Sequence, residues 1–306
     1  MLKIYRQYNL DGAACELILR LRAESKKTDV VVIPANPRSL DKAIETLLDG
    51  PPVPLADELW IVGMCPSKAN CARLNKAYAE SYLQITLIDH HKVNDWVKQY
   101  PWATVSTKQC TAQLLCREVG LTDEKLLKFI DAVAAWSLFL IPSLNRKRGE
   151  DLHQLLKFLG DTRFIAAFGI DFDADIHLPH FLYILETLRN NSERYVKKVI
   201  DYQLQRTAYY TDNYGNAFKV LLAIDQHQNI GQAVLNHPEG VDLKYVVIAN
   251  PVTNLCSVFS RLNGIDISVL IKKLGGGWND TKNAATFFTD LRQHTVERIA
   301  SVLIFQ

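Results

Sequence analysis

Asp89-His90-His91 closes the apolar run Leu83-Gln84-Ile85-Thr86-Leu87-Ile88. An acid beside two histidines can ligate a metal ion or orient a phosphate. A strand end in an α/β domain is where ligands bind. The same tripeptide also suits a helix-capping Asp followed by surface histidines, so the rest of a metal site has to be sought elsewhere in the chain. Asp171, Asp173, Asp175 and His177 alternate in a calcium-like way, but Ile176 and Leu182 stand where an EF-hand loop needs Gly and Glu. A solvated loop is the expectation there. Arg146-Lys147-Arg148 is a basic trio in a stretch with Pro and Asn, read as a loop able to touch a nucleic-acid backbone but weak evidence alone.

The elements that would carry these residues follow from periodicity. Leu2 to Tyr8, Asp29 to Ile33, Leu59 to Val62 and Leu83 to Ile88 read as strands. Helical patterns separate them: one opened by Asp11-Gly12, one over Leu40 to Leu48 and one around Ala69 to Tyr78. Buried strands alternating with helices predict a parallel, doubly wound sheet. Helical patterns dominate from Cys110 to about Gly160. Phe181 to Tyr210 has helical periodicity without Gly or Pro, with Arg189, Arg194, Lys197, Lys198 and Arg206 between its apolar positions. These basic residues read first as a solvated face. Strands are predicted at Phe218 to Ile224, Tyr245 to Ala249, Leu255 to Phe259 and Ala284 to Phe288, with a helix over Ile267 to Leu274. The expected architecture is an α/β doubly wound parallel-sheet domain (1–180), a long connector helix (181–212) and a smaller α/β C-terminal domain (213–306).

Composition narrows the class. The chain has 306 residues, 48% of them hydrophobic, enough for one large core or two modest ones. Lys plus Arg number 35 and Asp plus Glu 33, a balance unlike that of a histone-like protein. Six cysteines without a C-x-x-C pair predict buried free thiols in a reducing compartment. No apolar run is long enough to span a bilayer and the first residues read as a strand, so the expectation is a soluble, cytoplasmic protein.

The order of segments carries a resemblance. Gln7-Tyr8-Asn9-Leu10-Asp11-Gly12 follows the first strand; then come Asp89-His90-His91, the connector helix, Ser260-Arg261 and Gly275-Gly276-Gly277. Over essentially its whole length the chain resembles the DHH phosphoesterase superfamily with its DHH-associated C-terminal domain, particularly the RecJ-like and oligoribonuclease branches. The resemblance implies two divalent cations, usually Mn²⁺, that activate a water to hydrolyse a phosphodiester or phosphoanhydride. Two dications ~4 Å apart repel by roughly 15 to 20 kcal/mol at an effective dielectric near 20, so dense anionic ligation is required.

Most of that ligation is missing. The family pattern H-x-D-x-D-G reads Gln7, Asn9 and Asp11 here, and Gly63 stands where a bridging Asp belongs. Ala134 occupies the best-fitting place for a late Asp, which Asp131 could fill only with a shifted helix register. Asp11 and His90 survive as ligands, and His91 as the residue facing the phosphate. Cys65 offers a soft ligand or nucleophile near the same strand end, although a buried structural thiol is the favoured reading. In the second domain the resemblance assigns Arg261 and the Gly275, Gly276, Gly277 turn to the substrate phosphate, with Trp278 in place of the family's His. A standard binuclear centre is not expected; at most one Mn²⁺ or Mg²⁺ would bind weakly at Asp11, His90 and Asp89.

Three functions follow. The first is a catalytically weak or inactive protein that binds a nucleotide or single-stranded nucleic acid, or serves in assembly. A eukaryotic replicative helicase with a degenerate DHH subunit is the precedent for it. The alternative is an active metal-dependent phosphodiesterase or exonuclease acting on short oligonucleotides or nucleotide second messengers through Asp89, His90 and His91. The third is a subunit of a protein complex with no ligand in the cleft.

Overall fold

The computed structural model describes residues 1–50, 58–80, 83–138, 143–169, 172, 178–179, 181–261, 264–272, 283–288 and 295–304. They form two compact units, Met1–Leu185 and Glu186–Gln306.

The first unit is built on a five-stranded parallel sheet of order β2-β1-β3-β4-β5. Its strands are β1 (Leu2–Gln7), β2 (Val30–Ala35), β3 (Glu58–Val62), β4 (Gln84–Asp89) and the short β5 (Ala103–Val105), which the sequence reading missed. Helices α1 (Leu10–Lys26), α2 (Pro37–Asp49) and α3 (Lys68–Ala79) alternate with the strands. After β5 come α4 (Thr111–Val119), α5 (Glu124–Ser137) and α6 (Leu144–Phe168), the last bent at Gly160.

Strand residues of one parity, Leu2, Ile4, Trp60, Val62 and Ile88, join α1, α4, α5 and α6 in one core. The other parity, Tyr5, Leu59, Ile61, Ile85 and Leu87, joins Leu40 and Ile44 of α2 and Cys71 and Leu74 of α3. Burial on both faces is why the strands read as unbroken apolar runs, and it confirms the doubly wound expectation.

Local signals set the helix starts. Asn9 caps α1 through a bond from the Gly12 amide at 2.7 Å. Asn36 and Ser39 form a reciprocal capping box ahead of α2, with Pro37 in its first turn. Asp123 and Ser143 cap α5 and α6. The basic trio corrects the loop reading: Arg146 to Arg148 lie in the first turns of α6. Arg146 is buried, donates to the Ala135 and Trp136 carbonyls and stacks on the Trp136 ring at 4.2 Å. Burial lowers its pKa to about 10.

The second unit holds a mixed sheet of order β10-β9-β8-β7-β6. The long helix is α7 (Leu182–Gln203), shorter than the periodicity predicted, and β6 (Tyr210–Thr211) falls inside the stretch read as connector. Then follow β7 (Ala217–Leu222), α8 (His227–Asn236), β8 (Tyr245–Asn250), β9 (Leu255–Ser260), α9 (Ile267–Lys272), β10 (Ala284–Phe288) and α10 (Thr295–Ile304). Only β7 and β8 pair in parallel among the described strands of this sheet, joined through α8; the other neighbours are antiparallel. Helices α8 and α10 had no counterpart in the sequence reading. Asp171, Asp173, Asp175 and His177 lie outside the described residues.

Candidate functional site

Strand register assembles the site. Arg6 pairs with Val62, and Val62 with Ile88, so the next residues, Gln7, Gly63 and Asp89, stand in a row along the carboxyl edge of the sheet. The order 2-1-3-4-5 reverses direction between β1 and β3, which makes this edge a topological switch point, the usual ligand crevice of an open α/β sheet.

The β1 and β3 side of this row is neutral. Asn9 Nδ2 donates to Gln7 Oε1 at 2.8 Å, while Asn9 Oδ1 is occupied by the Gly12 amide. Gly63 has φ +73°, and a Cβ there would lie 3.4 Å from Gln7 Oε1. An Asp in this place would have to adopt a left-handed backbone and crowd the amide cluster. Gly12 is required for a different reason: a Cβ would meet the Gln7 carbonyl oxygen at 2.1 Å. Its place in the Asp-Gly pair is set by the close approach of α1 to the end of β1.

The two retained acids are buried and already occupied. Asp11 accepts the Thr111 amide on Oδ2 at 3.0 Å and the Ala112 amide on Oδ1 at 2.9 Å, so its carboxylate closes the N-terminus of α4. A carboxylate is well placed there, against orphan N–H groups and the positive end of the helix dipole. Asp89 Oδ1 accepts the His90 amide at 2.8 Å, the His91 amide at 3.3 Å and His91 Nδ1 at 2.6 Å. Its Oδ2 accepts Asn94 Nδ2. Burial alone would push the Asp89 carboxyl up; the two histidines and the Asn94 bond overcome that and hold it below the usual carboxylate range.

The histidines differ. Because Asp89 is ionised and can only accept, His91 Nδ1 is the protonated nitrogen of that bond. His90 Nδ1 lies 2.8 Å from Thr111 Oγ1 and 3.4 Å from Asp11 Oδ2. Burial lowers the His90 pKa, His91 lowers it further, and Asp11 and Asp89 offset this only in part, so His90 is neutral near pH 7. The two rings lie 4.2 Å apart, centroid to centroid.

Asp89, His90 and His91 each offer one ligand atom within 4.8 Å of the others. An ion there would have to compete with the protein donors already on Asp89. The residues therefore fit a binuclear centre poorly: Gln7, Asn9 and Gly63 bring no charge, and both acids are engaged. Ala134 is buried, whereas Asp131 is exposed and accepts from Gln113 Nε2 at 3.4 Å, so the helix register does not turn Asp131 toward the histidines. Cys65 Sγ lies 3.3 Å from the Pro66 carbonyl and 3.9 Å from Cys71 Sγ; that neighbour and burial push its pKa far up, which removes it as a thiolate nucleophile.

Asp11, Asp89, His90 and His91 thus come together within the first unit. In the second, one terminal guanidinium nitrogen of Arg261 donates to the Leu243 carbonyl at 2.7 Å, and the other to the Leu235 and Gly240 carbonyls at 2.6 and 2.9 Å. Gly275, Gly276, Gly277 and Trp278 lie outside the described residues. The sequence reading missed Asn94 and Thr111, whose types carry no signal until the fold brings them to the histidines. It also missed Arg6, which is fully buried beside Gln7 and pairs with Glu16 at 2.7 Å and Asp161 at 2.9 Å.

The sequence matches no protein-family model and no curated protein. The fold does match solved structures. The DHH domain of a protein described as a member of a ribosomal-protein family aligns over 99% of this chain and 86% of its own, with a TM-score of 0.64 and 14% identity. RecJ from Thermus thermophilus, solved with Mn²⁺, aligns over all of this chain and 52% of its own (TM-score 0.55, 15% identity). CDC45 from Entamoeba histolytica aligns over 100% of this chain and 95% of its own (TM-score 0.52, 7% identity). At these identities the likeness shows the fold alone.

Proposed function

We propose that this chain, a DHH phosphoesterase-like protein by fold, has lost the two-metal centre of such enzymes and works as a nucleotide- or nucleic-acid-binding or assembly protein with little or no hydrolytic activity. One observation carries the reading: both carboxylates that remain at the strand ends are consumed by protein donors. Asp11 holds the amides of α4, and Asp89 holds His91, Asn94 and two backbone amides. A pair of dications would need those oxygens and further negative charge, and the neutral Gln7, Asn9 and Gly63 cannot provide it.

The alternative is hydrolysis with a single Mn²⁺ or Mg²⁺, favoured by the ligand spacing of Asp89, His90 and His91. When bound, such an ion would polarise a phosphoryl oxygen or lower the pKa of a water. Asp89 would keep its role of orienting the His91 ring. Arg261, Gly275, Gly276, Gly277 and Trp278 are the proposed phosphate and base contacts, although at least three guanidinium N–H groups of Arg261 already serve backbone carbonyls.

Metal content after incubation with Mn²⁺ and gel filtration, together with hydrolysis of bis(p-nitrophenyl) phosphate, tests the proposal. We expect substoichiometric metal and no rate above buffer. One or more equivalents of retained Mn²⁺, with hydrolysis that His90→Ala abolishes, would establish the enzyme instead.

A further inference from the structure

Cys65 and Cys71 bring two thiols together beside the strand-end row. Cys65 lies in the loop that leaves β3, two residues past Gly63, and Cys71 in the first turn of α3. Their sulfurs are 3.9 Å apart, and both face the Pro66 carbonyl, at 3.3 and 3.6 Å. Sequence spacing does not single this pair out, because Cys110 and Cys116 are likewise separated by five residues. Those two stand at the start and within the length of α4, where six residues make ~9 Å of rise, and Cys116 Sγ turns to the Leu121 carbonyl at 3.3 Å. A disulfide needs its sulfurs about 2.0 Å apart. One helix therefore holds the second pair out of reach. A loop and a helix leave the first pair ~2 Å short of bonding, a gap that rotation of the loop residue Cys65 can close.

The surroundings favour a neutral product. The pair is packed with Leu40, Ile44, Met64 and Leu74 in one apolar core. Asp89 and Asp41 are the charged groups acting most on Cys65, and as acids they disfavour a thiolate. Two bare thiolates, or a monovalent soft metal held by them, would bury net negative charge there, whereas a disulfide buries none. Cations that stabilise a thiolate make a disulfide easy to reduce. Without them the reduced pair gains nothing by ionising, and the disulfide, once formed, is durable.

We infer that Cys65 and Cys71 are an oxidation site: a hydroperoxide closes them into a disulfide that ties the loop after β3 to the first turn of α3. The contact with Cys71 and burial keep the proton on Cys65, so Cys71 is the sulfur that attacks. It takes one oxygen of hydrogen peroxide as a sulfenic acid, and the departing hydroxide leaves as water with the Cys71 proton. The Cys65 sulfur then displaces the hydroxyl from Cys71, and the Cys65 proton goes with it as a second water. The two thiols lose two electrons and the peroxide gains them. Cys65 is 9% exposed and Cys71 is wholly buried, so only a small oxidant reaches the pair, and closure is slow. The inference is independent of what the strand-end site binds.

Hydrogen peroxide added to the reduced, full chain under native conditions tests it, with alkylation afterwards in guanidinium. Two of the six thiols should be lost to alkylation and restored by dithiothreitol. Trypsin cuts after Lys68, between the two cysteines, so the disulfide should join two peptides that otherwise separate. The same exposure in guanidinium should link Cys110 to Cys116 as well, since unfolding removes the helix that keeps them apart. Cys65→Ser should abolish the reversible loss; the peptide map of the native chain carries the test if that variant does not fold. The inference is overturned if the native chain keeps all six thiols under an exposure that oxidises the unfolded chain. Linkage of Cys110 to Cys116 in the native chain would overturn it too. So would a reversible loss that survives Cys65→Ser, or a loss of Cys65 or Cys71 that dithiothreitol does not restore.

Discussion

Asp11 carries a job that its motif does not advertise. Its carboxylate spans a hundred residues of sequence to accept the Thr111 and Ala112 amides, and it is almost wholly buried. Asp11→Ala leaves two buried donors of α4 unsatisfied, an expected loss of about 2–4 kcal/mol in a urea titration. The measurement belongs in EDTA, where a metal ligand would contribute nothing. A loss seen only with Mn²⁺ present would return Asp11 to metal binding. The motif residue was legible in the sequence; its partners were not, because nothing in Cys110-Thr111-Ala112 marks those amides as needing an acid from elsewhere. The same holds for Arg261, a candidate anion contact whose guanidinium meets three carbonyls from 18 to 26 residues away.

Among elements, α5 and α6 approach each other closely enough to exclude a side chain. A Cβ on Gly149 would stand 2.2 Å from the Ala132 carbonyl oxygen and 2.8 Å from Trp136 Cβ. Alanine normally gains about 1 kcal/mol over glycine inside a helix. Here the backbone of α5 is in the way, and overpacking costs about 1–3 kcal/mol, so Gly149→Ala should lower the melting temperature rather than raise it. Circular dichroism melts of the two proteins decide the sign. Strands β1, β3 and β4 were readable from their apolar runs because both faces of the sheet are covered. Short β5 and β6 were not, since two or three residues carry no periodicity. The amphipathic signal of α7 overran its end at Gln203 because the polar segment after it continues the same spacing.

For the molecule as a whole, burial of every thiol is the most direct check. All six cysteines are free and buried, spread over both units. A chromogenic disulfide reagent should titrate six thiols in guanidinium and react far more slowly with the native chain. Fast reaction of one or two thiols in the native chain would contradict the packing around Cys65 and Cys71, the pair beside the strand-end site. No helix among the described residues is long and apolar enough to cross a membrane.

Apolar periodicity was enough to predict an α/β doubly wound sheet, and the position of Asp89-His90-His91 to locate a strand-end site; the DHH-like frame was a resemblance carried by the order of the motifs along the chain. Those features are local: alternation, run length and a motif at the end of a run need no partner to be visible. Asp89 is occupied by donors from the five residues that follow it, but whether Asp11 stands open to an ion depends on which distant donors reach it. Register across β1, β3 and β4 brings Gln7, Gly63 and Asp89 into one row, and the packing of α4 against that edge occupies Asp11. Hydrogen bonds between residues about a hundred positions apart exist only after the chain has folded, so the occupation of the Asp11 carboxylate could be read from the tertiary structure alone.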